Sequence, residues 1–134
     1  MNDCLFCKIV EGELDAKIIY EDDYAVAFLD IAPWQKGHCL VIPRTHVENV
    51  FSEPDALSNI APAVTAVGRL VQRAMAADGI NVVSNAGKVA GQEVFHAHVH
   101  IVPRYQDAPG LDNLRGQPEV HLDEVHRAIV STDN

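Results

Sequence analysis

The chain is poor in positive charge and has no long apolar run, and each absence excludes a class of function. Its 134 residues carry 10 Lys and Arg against 19 Asp and Glu, a formal net charge of −9. A sequence-independent nucleic-acid binder needs a basic surface that displaces counterions from phosphates, so nucleic acid is excluded as a partner. No stretch approaches the roughly 20 apolar residues of a membrane span, so no membrane partner is expected.

Cysteine is also scarce, with three residues in the chain. An odd count, beside an N-terminus with neither a basic segment nor an apolar signal core, argues against a disulfide framework. The cysteines therefore predict a reducing compartment, the cytoplasm. The remaining composition, 48% hydrophobic and 22% charged, is typical of one soluble globular domain with a single core.

Three histidines at alternate positions form the most informative segment. His96, His98 and His100 alternate with small or β-branched apolar residues. This period of two predicts a strand from Glu93 to Arg104, with imidazoles on one face and a core on the other. Neighbouring imidazoles would begin roughly 7 Å apart, close enough to act on one phosphate or one metal. Imidazole serves as nucleophile, acid–base group and ligand, so the row predicts a functional site.

The pair Cys4 and Cys7 has a C-x-x-C spacing that leaves three interpretations open. A zinc site would need two further ligands from elsewhere in the chain. A redox pair would follow a strand of a βαβ unit, and no strand precedes this one. The third interpretation is simple packing of the N-terminus. His38 and His46 flank a short apolar strand, so one histidine could lie at each of its ends.

Two further features indicate phosphate and ribose binding. Asp30 ends a predicted strand, where its carboxylate could accept hydrogen bonds from two ribose hydroxyls. Residues 86–92 form a loop of small residues immediately before the histidines. Gly87 and Gly91 let the backbone of this loop approach a ligand closely and offer N–H groups to an anion.

The periodicity of the remaining chain predicts strands and helices in mixed order. The predicted strands are residues 17–21, 24–30, 37–44, 80–85 and 93–104. Short helices are expected over 6–11 and 120–130. Pro62 removes a hydrogen bond from any helix interior, so the main helix is expected to begin near Ala61 and to end near Ala77.

The chain resembles a known family in several segments. His96-Ala97-His98-Val99-His100-Ile101-Val102 resembles the signature of the histidine triad (HIT) family of nucleotide-binding hydrolases and transferases, in particular its bacterial HIT-like branch. Residues 28–31, 37–43 and 91–95 resemble HIT segments in the same order, and the likeness spans residues 3–105. The resemblance implies an α+β fold with a five-stranded antiparallel sheet, one main helix, a short N-terminal helix and a C-terminal helix. It implies a HIT domain over 1–110 and an extension over 111–134 packed on the same domain.

The resemblance also implies roles for individual residues. His98 corresponds to the nucleophile at the α-phosphorus, His100 to the histidine near the phosphate and leaving group, and His38 to a supporting histidine. Asp30 corresponds to the ribose acceptor and Ile31 to a residue of the base pocket. The residues implied on the phosphate side are Asn85, Gly91 and Gln92.

Family members with an N-terminal C-x-x-C are zinc proteins, so the resemblance implies a structural Zn²⁺ with no open catalytic position. The implied ligands are Cys4, Cys7, His46 and His96. One departure from the family is Glu93, where many eukaryotic members carry Ser or Thr. A carboxylate cannot donate to phosphate, so either this side chain turns away or the phosphate is held by Gln92 and backbone N–H groups.

These observations predict a nucleotide-binding hydrolase that cleaves at the α-phosphate of purine nucleoside phosphoramidates, adenylated amines or dinucleoside polyphosphates through a covalent nucleotidyl-histidine. The alternative is a purine-nucleotide-binding regulatory protein with weak or vestigial catalysis. A third interpretation is a zinc-binding or zinc-sensing protein whose histidine row holds the metal. The resemblance implies a homodimer. A histidine beside phosphate should have a raised pKa, so activity is expected to fall on the acid side as His98 becomes protonated.

Overall fold

The helices and strands follow one another in mixed order along residues 3–133, which the computed structural model describes. In chain order they are α1 (Leu5–Val10), β1 (Ile18–Glu21), β2 (Ala25–Leu29), β3 (Cys39–Pro43), α2 (Ala56–Met75), β4 (Gly79–Val83), β5 (Val99–Arg104) and α3 (Leu122–Val130). Residues 1, 2 and 134, which the predicted domain ranges include, lie outside the described residues. Within the described chain, none of the helices combines the length and apolarity needed to cross a membrane.

The five strands form one antiparallel sheet in the order β1-β2-β3-β5-β4. This confirms the predicted α+β fold and its five-stranded sheet. Asp22 makes the turn of the β1–β2 hairpin, because its Oδ1 accepts from the backbone N–H groups of Tyr24 and Ala25 at 2.8 Å each. Every residue of β3 and β5 is buried, as expected of central strands.

Alternation along the strands gives the sheet two different faces. One face packs against α2 and carries Ala25, Ala27, Leu29, Cys39, Val41, Val99 and Ile101. The intervening residues point the other way, where Phe28 and Leu40 pack against Phe6 and Ile9 of α1. His100 is paired with Leu40 in the β3–β5 register and therefore lies on the α1 face. The sheet thus puts an aliphatic core under α2 and imidazoles under α1.

The prediction that α2 begins near Ala61 is wrong, because the helix begins five residues earlier, at Ala56. Its first turns bury Ala56 and Ile60 against the sheet, and this burial outweighs the hydrogen bond that Pro62 removes. Pro62 is solvent-exposed, so water can hydrate the carbonyl that loses its partner. The helix ends at Met75, not at Ala77, because Ala76 adopts a left-handed conformation with φ 51°.

The predicted strand from Glu93 to Arg104 is half correct, since β5 begins only at Val99. Residues 93–98 leave the sheet because their backbone groups bond elsewhere: the Ala97 N–H donates to the Val47 carbonyl at 2.7 Å. The C-terminal helix matches its prediction more closely. Val125 and Ile129 of α3 are buried in the core that α2 shares with the sheet.

Candidate active site and metal cluster

A cavity of about 1150 Å³ opens on the α1 face of the sheet. One wall is apolar and comes from α1 and the sheet, with Phe6, Ile9, Phe28 and Leu40. Polar and charged side chains share the lining with this wall, among them Asp30, Glu93, His98, His100 and Arg115. The cavity can therefore bring an apolar group and an anionic group of one ligand against different side chains.

His98 is held in one tautomer by the backbone. Its Nδ1 lies 2.8 Å from the His96 carbonyl oxygen, so we assign the proton to Nδ1, which donates, and leave Nε2 unprotonated. The Ser84 hydroxyl donates to the His98 carbonyl at 2.7 Å and fixes this backbone. Burial lowers the pKa of His98, although the His96 carbonyl and Asp30 oppose this shift. The prediction of a raised pKa applies to His98 beside a phosphate, whereas burial by the protein alone lowers the pKa of this ring.

His38 and His100 form a hydrogen-bonded relay that leaves His100 with a protonated Nε2, the opposite of His98. The Trp34 backbone N–H donates to His38 Nδ1 at 2.9 Å, so the proton of His38 lies on Nε2. This Nε2 lies 2.9 Å from His100 Nδ1 and donates to it. His100 must then carry its own proton on Nε2. Burial lowers the pKa of His38 to about 3 and that of His100 to about 4, so both rings are neutral at pH 7.

Trp34 and Arg115 extend this relay, and sequence reasoning missed both as site residues. The Trp34 ring stacks on His100 with centroids 4.5 Å apart and planes at 19°. The Arg115 guanidinium lies 4.8 Å from the Trp34 centroid. Arg115 is 15 residues beyond His100 in the polar tail. Only the position of Trp34 in a loop after a strand hinted at a site.

Asp30 and Ile31, the residues predicted to contact ribose and base, line the cavity. Asp30 Oδ1 accepts from the Ala32 N–H at 2.8 Å, and burial raises the pKa of this carboxyl. Its Oδ2 lies 3.7 Å from His38 Nε2, but the low pKa of His38 means that this is not an ion pair at pH 7. Ile31 is 84% exposed at the mouth of the cavity, where a ligand could cover it.

The three residues predicted on the phosphate side, Asn85, Gly91 and Gln92, lie in different surroundings. Gly91 lines the cavity, whereas the Gln92 side chain is buried inside the loop. The Gln92 amide accepts from the Gly87 N–H and donates to two carbonyls, those of Glu48 and Val94. Gln92 thus shapes the loop, and its predicted direct contact with substrate is disfavoured by this arrangement. The Asn85 side chain lies beside Gly91 rather than at the cavity wall.

Cys4, Cys7, His46 and His96 meet in a second cluster at the other end of β3. Cys4 Sγ is 3.4 Å from His96 Nδ1, and Cys7 Sγ is 3.4 Å from His46 Nδ1. The two Nδ1 atoms are 3.2 Å apart. Four ligands of one Zn²⁺, at Zn–S about 2.3 Å and Zn–N about 2.05 Å, stand roughly 3.3–3.8 Å apart. The residues therefore fit a tetrahedral Cys₂His₂ site.

The tautomer of His96 agrees with this fit. Its Nε2 lies 2.8 Å from the Pro43 carbonyl oxygen and donates to it, which leaves Nδ1 unprotonated toward the cluster. The histidine row therefore divides: His96 joins the cysteines, and His98 and His100 line the cavity. A second group, Asp30, His38 and His100, suits a metal less well, because the His38 Nε2 proton is already bonded to His100.

Comparison with known proteins agrees with this geometry. The HIT domain family matches residues 11–107, more than half of the chain. The chain belongs to the HIT family. A HIT-like protein of Methanocaldococcus jannaschii is 44% identical over 127 residues, which cover 94% of this chain and 98% of that protein.

Two relatives of this HIT protein have names that state an activity. An adenosine 5′-monophosphoramidase of Saccharomyces cerevisiae is 38% identical over 96% of this chain and 81% of its own length. An adenylylsulfatase of Arabidopsis thaliana is 38% identical over 77% of this chain and 53% of its own length. Among solved structures, a Zn-bound histidine triad family protein from Mycobacterium smegmatis has a TM-score of 0.84 at 36% identity and covers 96% of this chain and 91% of that one.

Proposed function

We propose that this HIT protein hydrolyses purine nucleotides at the α-phosphate through a covalent nucleotidyl-His98. The main observation behind the proposal is that two neighbouring histidines of the cavity, His98 and His100, have opposite tautomers. His98 has a bare Nε2, His100 has an Nε2–H, and their ring centroids are 5.0 Å apart. One ring can attack phosphorus while the other donates to a phosphoryl oxygen.

The reaction would proceed in two displacements. In the first, the His98 Nε2 lone pair forms a bond to the α-phosphorus, and the bond from phosphorus to the leaving group breaks with its electron pair on the leaving group. An amine takes up a proton from solvent as it departs, whereas an oxyanion takes up none. In the second, water attacks the same phosphorus, the bond from phosphorus to His98 breaks, and a nucleoside monophosphate leaves as the water proton passes to solvent. His100 serves as a hydrogen-bond donor, because a neutral ring that gave up its Nε2 proton would become an imidazolate.

Candidate substrates are purine nucleoside phosphoramidates, adenylated amines and dinucleoside polyphosphates, and the named activities of the two relatives support this bond class. Rates for one substrate of each kind should be measured with the parent protein and with His98→Ala. His121→Ala is the matched control, because it removes an exposed imidazole outside the cavity lining. Turnover that is lost only in His98→Ala supports the proposal, and undiminished turnover by His98→Ala would overturn it.

A nucleotide-binding regulatory role is the second candidate, and one observation favours it. Glu93 lies at the cavity wall near the glycine loop, where its carboxylate would oppose the negative charge that develops in the transition state and so slow the reaction of a bound nucleotide. Saturable binding of AMP without turnover of any of the three substrates would select this role over the hydrolase.

The Cys₂His₂ cluster would hold a structural Zn²⁺ through Cys4, Cys7, His46 and His96, and the Zn-bound relative supports this assignment. The metal would cross-link α1 to the segment that precedes His98, and it would supply no step of the hydrolysis.

The predicted homodimer is also proposed, with the outer edge of β4 as its contact. This edge has no strand partner among the described residues, and its Val82 is 58% exposed. The cytoplasmic location stays a prediction from the cysteine content.

A further inference from the structure

The tail after β5 returns to the cavity and is hydrogen-bonded to the loop that contains Trp34. The Gln35 amide donates to the carbonyls of Asn113 and Leu114 at 2.9 and 3.0 Å. Gly116 approaches the Trp34 carbonyl so closely that a Cβ at this position would lie 2.9 Å from the oxygen. These contacts seat the intervening residue, Arg115, at the cavity wall.

Arg115 is connected to His100 through the ring of Trp34. Its guanidinium lies 4.8 Å from the centroid of Trp34, and Trp34 in turn stacks on His100. The positive charge is close enough to contribute to the lowered pKa of both His38 and His100. The guanidinium, Trp34 and His100 therefore form one continuous surface, which we call the Arg115 face.

The charges around the cavity make Arg115 distinctive. Among the described lining residues it is the one Arg or Lys, against three carboxylates: Asp15, Asp30 and Glu93. The relay rings His38 and His100 are neutral at pH 7, so they add no positive charge beside Trp34. No ion pair joins Arg115 to a carboxylate within residues 3–133, so its donors can meet an anion.

The two kinds of leaving group differ in the charge that they carry away from phosphorus. An amine must gain a proton when it leaves phosphorus. A phosphate or sulfate leaves as an oxyanion and needs none, but the charge on its bridging oxygen must be stabilised.

We propose that the Arg115 face binds the leaving group and selects nucleotides whose leaving group is an oxyanion over those that release an amine. This inference rests on the proposed hydrolase. As the bond between the α-phosphorus and the bridging oxygen breaks, its electron pair stays on that oxygen, and the guanidinium donates to the departing phosphate or sulfate.

The test compares substrates that share one AMP half. Adenosine 5′-phosphosulfate and diadenosine tetraphosphate release oxyanions, and adenosine phosphoramidate releases ammonia. We expect Arg115→Gln to lower kcat/KM for the first two by about 10- to 100-fold, less than for a fully buried donor because Arg115 is exposed. The phosphoramidate should change by less than about 3-fold, and Arg115→Lys should restore part of the loss. Arg127→Gln, an exposed arginine of α3, is the matched control.

Equal losses on all three substrates, or no loss, would overturn the inference. A loss confined to the tetraphosphate or to the phosphosulfate would identify which oxyanion the face accepts.

Equilibrium binding separates this inference from the hydrolase proposal. Arg115→Gln should weaken ATP binding by about 10-fold and leave AMP binding unchanged, an effect that needs no turnover. If the parent protein hydrolyses none of the three substrates but Arg115→Gln still weakens ATP binding alone, the hydrolase proposal fails and the anion site stands. If ATP affinity is also unchanged, the anion site fails.

Discussion

Each imidazole of the site has one nitrogen committed to a fixed partner, and this commitment decides what the other nitrogen can do. His96 and His98 donate to carbonyl oxygens, which leaves one bare nitrogen on each ring. His38 accepts from a backbone N–H, so the relay through His100 ends in a donor. Similar side chains thus become ligand, nucleophile and donor through their hydrogen-bond partners.

The buried neutral histidines make stability depend on pH. The pKa of His38 is about 3 in the folded chain, against an ordinary value of 6.5 in the unfolded chain. Between these pH values the unfolded chain binds more protons than the folded chain, so the free energy of unfolding rises with pH. The contribution of His38 to this free energy is lost as the pH falls below about 6.5. The slope should be on the order of 1 kcal/mol per pH unit for this site.

Urea unfolding at several pH values from about 5 to 7 measures this dependence. His38→Gln should flatten the slope relative to the parent protein, whatever its absolute stability. A parent protein that becomes more stable as the pH falls from 6.5 to 5 would contradict the assignment of neutral buried rings.

Ser84 positions the proposed nucleophile through its bond to the His98 carbonyl. Ser84→Ala should keep the fold and lower kcat by about 10-fold with little change in KM, because a small displacement of the attacking nitrogen is costly. Ser131→Ala is a suitable control, since its hydroxyl makes a comparable backbone contact at the exposed end of α3. An unchanged kcat in Ser84→Ala would show that the backbone of His98 is held without this bond.

At the scale of elements, α1 connects the metal cluster to the cavity. Cys4 caps the helix and Cys7 lies within it, whereas Phe6 between them contacts the edge of His98 with ring centroids 5.2 Å apart. A helix of six residues has little stability of its own, so its position depends on these attachments. The cluster therefore holds one wall of the cavity.

Cys4→Ser should abolish stoichiometric zinc and weaken nucleotide binding, because α1 is no longer held against the sheet. Metal analysis and equilibrium AMP binding measure the two effects separately. Cys39→Ala removes a thiol from the core outside the cluster and should keep the metal. Full zinc content in Cys4→Ser protein would show that Cys4 is not a ligand.

Local patterns predicted most elements, and the exceptions have physical causes. Short apolar runs located β2 and β3, whose residues are all buried, and the alternation of histidines with apolar residues located β5. The start of α2 was wrong because burial of Ala56 and Ile60, a tertiary effect, outweighs the local cost of Pro62. Residues 93–98 alternate like a strand, but their backbone partners lie in distant loops that no local pattern reveals.

At the scale of the whole molecule, the sheet ends in β4, whose outer edge is open among the described residues. If two chains pair through this edge, Val82→Lys should convert a dimer into a monomer, because it places a charge in the contact. Light scattering coupled to size exclusion measures the mass. Val130→Lys, at an equally exposed position on α3, should leave the dimer intact. A parent protein that is monomeric would contradict the proposed dimer.

The site as a whole was only partly predictable from the sequence. The family resemblance led to the histidines, Asp30 and the cysteines, because those residues belong to contiguous motifs. Ser84 contacts His98 across 14 positions of chain, Trp34 contacts His100 across 66, and Arg115 contacts Trp34 across 81. Such contacts arise from the folded topology, which places the tail beside the loop after β2.

The central claim, that His98 is the nucleophile, is tested most directly by the mass of the protein during turnover. Parent protein mixed with adenosine phosphoramidate and quenched at neutral or alkaline pH should gain the mass of one adenylyl group, and fragmentation should locate it on His98. His98→Ala should gain none, whereas His121→Ala should gain the same mass as the parent. An adduct on His98→Ala protein, or rapid turnover by it, would contradict the account.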